Sequence, residues 1–295
     1  MCAAFVGLLC CSCGPAVQGE APAPAERETT AASELVPPTT GEPVDVSRNY
    51  LSVADFQEAM REANPGYTRR GVFVTDAAKR VVEADLSRCG LTRLEPFAQI
   101  ALKVLDLSGN AVDDLSSLSG MPLRALLLDE TAVSDLSPLL GVPLDRLSLV
   151  KSKVVDLAPL REAQLTHLDL RQTKVSDLSA LAKVRLVELR LDGTKVSDLS
   201  PLAKCPLNRL TLSHTLVSDL SPLRGRPLRV VDVSGTRVSD LTPLLDSKLR
   251  RLAFTPGRIQ VGMSGLRRMR SLRELGESLS RCRAAPEYWK EIDAQ

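Results

Sequence analysis

The sequence has 295 residues, which is enough for a large globular core or for a long array of repeats. Its 38 Lys and Arg nearly balance 36 Asp and Glu, so the net charge by itself indicates no polyanionic partner. Two His, one Trp and 3% aromatic residues leave little material for a histidine metal centre or for a conventional aromatic-rich core.

The first 13 residues, MCAAFVGLLCCSC, contain an apolar run of about ten residues, which is too short to span a bilayer and near the size of a signal-peptide core. The cysteines after VGLL resemble the cleavage box of bacterial lipoproteins, in which one cysteine becomes the lipidated first residue. Cys11 and Cys13 are the candidate lipidation sites. Three interpretations stay open for residues 1–13: a lipoprotein signal, a plain secretion signal, and the retained start of a cytosolic protein.

Residues 14–46 are rich in Pro, Ala, Glu and Thr, and they show no apolar periodicity. Such a segment does not bury enough apolar surface to offset the entropy lost on ordering it. We therefore expect a disordered tether, partly extended by its prolines, between the N-terminal segment and the folded part of the chain.

Residues 47–80 are expected to cap the exposed end of a repeat array. The stretch VADFQEAMREA spaces its apolar residues as a helix, and the following NPG ends that helix. Residues 71–75 and 80–86 alternate in the manner of two strands. A helix followed by two strands is thus predicted before the array.

Residues 81–269 align with themselves at a shift of 21, giving nine units of the pattern L-x-x-L-x-L-x-x-T-x-V-x-D-L-x-P-L-x-x-x-P. Apolar residues occupy unit positions 1, 4, 6, 11, 14 and 17. The change from alternation to spacing by threes predicts a short strand, a turn and a segment of 3₁₀ helix. A fixed period of this kind is typical of a solenoid, with parallel strands about 4.8 Å apart. We expect nine such strands.

The units resemble leucine-rich repeats of the short bacterial kind, and they are similar to internalin repeats with the register L-x-L-x-x-N-x-I-x-D-I-x-P-L. The resemblance covers all nine units. It implies an α/β repeat fold, a right-handed leucine-rich-repeat solenoid with parallel strands on the concave face and 3₁₀ or turn segments on the convex face. One departure is the residue after the strand, which is Asn only at Asn110 and Thr in most units. A hydroxyl still bonds backbone groups at such a bend.

An aspartate recurs in the turns of most units, as in GTKVSDLSPL. Its carboxylate is placed to accept a hydrogen bond from the N–H two residues on, and the Pro that follows suits the start of a helical segment. A cation needs several oxygens at about 2.4 Å, whereas one aspartate per coil gives a row spaced at about 5 Å. We expect structural turns, no metal and no cofactor. The row includes Asp135, Asp177, Asp198, Asp219 and Asp240.

Unit positions 3, 5 and 7 should point out from the concave strand face, because positions 4 and 6 are buried. In the middle units they form a mixed-charge stripe suited to a polar protein surface or a small charged ligand. The alternative is cross-strand ion pairing on a solvated face. Without aromatic anchors, binding there should be weak or electrostatic. The candidate binding residues are Arg146, His167, Asp169, Arg171, Glu188, Arg190, Asp192, Arg209 and Thr211.

Residues 270–295 are expected to form the C-terminal cap. The stretch GLRRMRSLREL spaces Leu266, Met269 and Leu272 as a helix. The NPGY before the array and the YWK after it resemble the caps of a family of bacterial leucine-rich-repeat proteins, some of which carry a protein kinase domain. This sequence has no Gly-rich phosphate loop and no kinase catalytic-loop motif, so the resemblance implies no kinase activity.

A basic cluster lies between Lys248 and Arg283, with ten Lys or Arg against two Glu. It predicts either a solvated cap or a surface for an anionic partner, such as lipid or cell-wall polymer. Nucleic acid is not expected, because aromatic residues for base stacking are sparse.

These features predict a non-enzymatic recognition module that is tethered to an extracytoplasmic membrane face and binds a protein or another surface ligand through its concave face. The alternative is a cytosolic regulatory scaffold, since the repeats also resemble those of a phosphatase regulatory subunit. His167 and Asp169 have no Ser or Cys nucleophile beside them, so no catalytic residue is predicted. Cys89, Cys205 and Cys282 lie far apart without metal-ligand spacing, and we expect structural or free thiols.

Overall fold

The computed structural model of the chain describes residues 52–68 and 70–294. The predicted signal segment and tether, with Cys11 and Cys13, lie outside these residues. None of the helices in the described residues combines the length and the hydropathy needed to cross a bilayer.

One sheet contains all the strands of the described residues, in sequence order. The second to the eleventh strand run parallel, while the first and the twelfth pair antiparallel with their neighbours at the two edges. The sheet lines the concave face of a right-handed solenoid. The strands are β1 (Val72–Thr75), β2 (Val81–Asp85), β3 (Val104–Asp106), β4 (Ala125–Leu127), β5 (Arg146–Ser148), β6 (His167–Asp169), β7 (Glu188–Arg190), β8 (Arg209–Thr211), β9 (Val230–Asp232), β10 (Arg251–Ala253), β11 (Glu274–Gly276) and β12 (Arg283–Ala284).

A short 3₁₀ segment follows each parallel strand, as the spacing by threes predicted. These segments and the turns form the convex side of each coil. They are Glu95–Gln99, Ser116–Leu118, Ser137–Leu139, Ala158–Leu160, Ser179–Lys183, Ser200–Leu202, Ser221–Leu223, Thr242–Leu244, Pro256–Arg258 and Leu279–Arg281. The α-helices are α1 (Val53–Ala63), α2 (Met263–Arg268) and α3 (Ala285–Asp293).

The core is a continuous stack of aliphatic side chains. In the unit that begins at Leu186, all six predicted apolar positions are at most 1% exposed. Leu189 pairs in register with Leu168 of the preceding strand and Leu210 of the next. The predicted register is therefore confirmed, and each coil depends on its neighbours to bury its leucines.

The recurring aspartates fix the turns before the 3₁₀ segments. The Ser200 N–H donates to Asp198 Oδ1 at 2.8 Å. The hydroxyl and N–H of Ser200 hold the pKa of Asp198 below its ordinary value. Within the described residues no group of three or more His, Cys, Asp or Glu is arranged to hold a metal ion. The predicted turn hydrogen bond is present, and the same bond joins Ser116 to Asp114, Ser137 to Asp135, Ala158 to Asp156, Ser179 to Asp177, Ser221 to Asp219 and Thr242 to Asp240.

The residue after each strand closes a second bend. The Thr194 hydroxyl donates to the Leu191 carbonyl of its own coil at 2.7 Å. Asn110 does more, because its amide donates to carbonyls of its own coil and of the preceding coil, and its oxygen accepts the Leu91 N–H. Threonine thus preserves the bend, as predicted, but in the described part of the chain its side chain makes no bond to the preceding coil.

The N-terminal cap covers the first coil with aromatic side chains and one buried amide. Phe56 on α1 packs edge-on against Phe97, with ring centroids 5.2 Å apart. Asn64, just after α1, is 1% exposed, and its oxygen accepts the N–H groups of Thr92 and Arg93 at 2.8 Å. The predicted helix end is therefore also the junction between the cap and the first repeat.

The C-terminal region differs from the prediction. The helix expected through Leu272 ends with α2 at Arg268, and the chain then becomes extended to form β11. Leu272 is buried at the start of an additional coil. Arg251 pairs with Glu274, a step of 23 residues (274 minus 251) instead of 21. The described sheet therefore has ten parallel strands, one more than predicted, because a coil start and a helix both space apolar residues by threes.

Helix α3 closes this end. Tyr288 packs against Phe254 with centroids 5.9 Å apart, and it is 6% exposed. Burial raises the pKa of Tyr288 to about 12, so its hydroxyl stays protonated. Arg267 of α2 stacks on Trp289 at 4.9 Å and pairs with Asp293, which ties α2 to α3.

Candidate binding surface on the concave face

Strand pairing brings the predicted residues of the stripe into register on the concave face. Arg146, His167, Glu188 and Arg209 are successive neighbours across β5 to β8. A second row, two residues further along each strand, is formed in the same way. It consists of Ser148, Asp169, Arg190 and Thr211.

The centre of this stripe is an ion-pair network. Arg190 lies 2.5 Å from the Glu188 carboxylate and 3.6 Å from that of Asp169. Arg209 lies 3.5 Å from Glu188, and Arg171 lies 2.8 Å from Asp169. The predicted cross-strand pairing is therefore present. The side chains remain between 14% and 40% exposed, so each pair stabilises the fold by only about 1 kcal/mol or less.

Two solved structures from Listeria monocytogenes share this architecture. An internalin (inlF) is 22% identical, matches 76% of this chain and 68% of its own, and superposes with a TM-score of 0.59. Internalin C2 (inlC2) is 24% identical, matches 68% of this chain and 92% of its own, and gives a TM-score of 0.54. The chain is a leucine-rich-repeat solenoid. No protein-family model matches its sequence, and no curated protein matches it significantly.

At one end of the stripe, two of the predicted binding residues, Asp192 and Thr211, form hydrogen bonds within the solenoid. Thr211 is 5% exposed, and its hydroxyl donates to Asp192. Asp192 also accepts the N–H of Ser213 at 2.8 Å and its hydroxyl at 2.7 Å. Asp192 and Thr211 therefore fix the strand exits, whereas the central arginines present charge to solvent.

At the other end, His167 faces a local polar cluster. Its Nδ1 lies 2.7 Å from the Thr166 hydroxyl, which in turn donates to Asp145. Burial, and then the positive charge of Arg146, lower the pKa of His167, which leaves the ring neutral near pH 7. Asp169 instead accepts hydrogen bonds from Arg171, whose Nε lies 2.9 Å away.

An apolar patch lies beside the stripe, and it was not predicted because the prediction covered only the middle coils. Val104, Ala125 and Leu127 occupy outward positions 3 and 5 on β3 and β4, and they are buried or half-buried. Ala125 pairs with Arg146 and Leu127 with Ser148. Aliphatic residues at positions that should face solvent were the signal. We call Val104, Ala125 and Leu127 the apolar patch.

Three aspartates beyond and beside the stripe are half-buried or buried: Asp106, Asp129 and Asp232. Burial raises the pKa of Asp106, Asp129 and Asp232, against the opposing effect of serine and backbone donors. Asp106 also pairs in register with Asp85, and this like charge raises its pKa further. The N-terminal end of the concave face is therefore an acidic region whose charge is costly to keep.

Proposed function

We propose that this protein is a binding module and that its concave face docks a protein partner. The observation that carries the proposal is the apolar patch directly beside a partly exposed ion-pair stripe, on a single rigid sheet. Protein interfaces commonly combine an apolar centre with a polar, charged rim. The leucine-rich-repeat fold supports this assignment, because it presents one side chain of each row per coil along the concave face.

The arginines of the stripe provide specificity more than affinity. Arg171, Arg190 and Arg209 already have carboxylate neighbours, so a partner must replace or share those contacts. Charge complementarity of this kind mainly raises the association rate and selects the partner, while the apolar patch contributes the buried area. The proposed partner presents acidic groups opposite the arginines and an apolar side chain opposite Leu127.

The test is capture of partners from the native source by the full chain and by an R171E/R190E/R209E variant. A matched control reverses three exposed arginines outside the stripe, R161E/R185E/R237E, with the same change in net charge. The concave variant should lose a protein that the wild type and the control both retain. Equal retention by all three chains contradicts docking on this face.

A second variant guards against misfolding of the charge-reversed stripe. Leu127→Arg leaves the ion pairs intact and places a charge in the apolar patch, so it should weaken capture by roughly tenfold or more. Circular dichroism of both variants establishes that the array is folded. Undiminished capture by a folded Leu127→Arg chain contradicts a role for the patch.

We further propose that the module is tethered to an extracytoplasmic membrane face by lipidation of Cys11 or Cys13. The cleavage-box resemblance before these cysteines supports this. A C11S/C13S variant expressed in the native source should leave the membrane pellet and appear in the soluble fraction. Continued pelleting contradicts lipidation, and a native mass that retains residues 1–13 supports the cytosolic scaffold instead.

A further inference from the structure

A row of arginines runs along the edge of the sheet where the last parallel strands begin. Arg229, Arg250 and Arg273 immediately precede β9, β10 and β11, and all three side chains are exposed. The Arg250 N–H donates to the Arg229 carbonyl, and the Arg273 N–H donates to the Arg250 carbonyl, each at 2.8 Å. The three therefore occupy consecutive rungs, about 4.8 Å apart. We call them the arginine row.

Further cations lie two or three residues before the members of the row, at Arg226, Lys248 and Arg270. Across residues 52–68 and 70–294, the ion pairs involve none of these six side chains. Arg226 Nε is buried and finds no hydrogen-bond acceptor within the described part of the chain. The edge therefore carries a compact group of positive charges, none of which is paired with a carboxylate in the described residues; the nearby Asp246 pairs with Arg224 instead.

This arrangement differs from an ordinary solvated row. On the opposite edge of the sheet, in the earlier coils of β5 to β7, Lys153, Lys174 and Lys195 are also stacked one per coil, but each is followed three residues later by a turn aspartate. Like charges on adjacent rungs repel and destabilise the sheet. A row with a purely structural role gains nothing from that repulsion, whereas a ligand that supplies negative charge relieves it.

We propose that the arginine row binds a linear polymer of phosphate groups. A planar guanidinium donates two parallel hydrogen bonds to the oxygens of one phosphate, and stacked arginines offer such a site on each rung. The row has no aromatic side chain for stacking bases, which disfavours single-stranded nucleic acid. None of the exposed large apolar side chains of the described residues lies in 224–230, 246–251 or 268–274, so a bilayer finds no apolar anchor there.

The basic cluster that the sequence predicts between Lys248 and Arg283 only partly coincides with the arginine row. Three of its arginines are held by carboxylates, Arg251 by Glu274, Arg267 by Asp293 and Arg283 by Glu291. The binding surface is instead built across coils and includes Arg229, which lies outside that segment. It is separate from the concave stripe, and the inference does not depend on the proposed protein docking.

The test measures binding of the full chain to inorganic polyphosphate at physiological salt. The R229Q/R250Q/R273Q variant should bind roughly 10- to 100-fold more weakly, because up to three charge-assisted contacts are lost. The K153Q/K174Q/K195Q variant has the same net charge and should bind like the wild type. Equal loss in both variants, or no polyphosphate binding by the wild type, overturns the proposal.

Further measurements test whether the arginine geometry is needed and which phosphate-bearing ligand is preferred. R229K/R250K/R273K keeps the charge but loses the bidentate geometry, so an affinity between those of the wild type and the glutamine variant is expected. Vesicles of one part phosphatidylglycerol to three parts phosphatidylcholine, and oligothymidylate, should bind more weakly than polyphosphate. Row-dependent binding that is tighter to either of them overturns the polymer assignment. Melting curves verify that each variant is folded.

Discussion

The concave stripe and the arginine row place similar side chains in opposite electrostatic settings. Arg190 lies between Glu188 and Asp169, so its charge is neutralised by its own sheet. Arg250 lies between Arg229 and Arg273, and no carboxylate of the described residues neutralises its charge. Both regions are built on the same repeated coil, so the difference comes only from which residues occupy the outward positions. Neutralised rows stabilise the array, while the row without counter-charges is available to a ligand.

The stripe and the arginine row are carried by the same stack of coils, so a charge in the core should abolish both surfaces together. Leu189→Asp places a carboxylate at a fully buried position without a partner, so we expect a loss of at least about 4 kcal/mol in the free energy of unfolding. Leu216 is 43% exposed on the outer turn, and Leu216→Asp should change stability little. Chemical denaturation measures both. A stable Leu189→Asp chain would show that the coils do not share this interior.

A second, smaller effect tests the contrast in charge directly. Glu188→Gln removes the carboxylate beside Arg190 and Arg209 and should lower the free energy of unfolding by about 1 kcal/mol. Arg250→Gln removes a repelling charge and should leave stability unchanged or slightly raised. The difference in the free energy of unfolding between the two variants should become smaller at high salt, which screens partly exposed charges. Equal destabilisation by the two substitutions contradicts the distinction between the regions.

The smallest effect concerns Asp106, a half-buried aspartate on β3. Burial and the neighbouring Asp85 raise the pKa of Asp106, so its ionised form opposes folding at neutral pH. Asp106→Asn should therefore raise the melting temperature at pH 7. The gain should shrink as the pH falls through the raised pKa and vanish below the unfolded value of about 3.9, where the wild-type carboxyl is protonated in both states.

Asp114 in the same coil provides the matched control. Hydrogen bonds from the Ser116 hydroxyl and N–H lower its pKa, so the ionised form favours folding above the unfolded value. Asp114→Asn should therefore lower the melting temperature at pH 7, and this loss should vanish as the pH falls through the lowered pKa. The same sign for both substitutions would contradict the assigned environments.

Much of the fold follows from local pattern. The 21-residue period places every buried leucine of the middle coils, and the turn aspartates and threonines make the backbone bonds expected of them. The end of α2 does not follow from pattern, because Leu266 and Leu272 satisfy both a helix and a coil start. The choice is made by the edge of β10, whose free backbone groups pair with Glu274 and its neighbours.

The surfaces were predicted unequally. Alternation along a strand identifies which side chains face out, and the stripe residues do lie together. Whether a charge is neutralised depends partly on residues one coil away, such as Asp169 for Arg190 and Glu274 for Arg251, so a linear count of basic residues between Lys248 and Arg283 did not reveal the row. Arg229 and Arg273 become neighbours of Arg250 only through backbone pairing across coils.

Adjacent parallel strands of the sheet are separated by a constant distance, so the length of the solenoid increases by the same amount with each added coil. Since each strand of the described sheet pairs only with the strand before and the strand after it, duplicating one coil between β8 and β9 would leave the stripe and the row intact. It would move them apart by one rung, about 4.8 Å. The distance between the two surfaces is thus set in whole coils, independently of the chemistry of either.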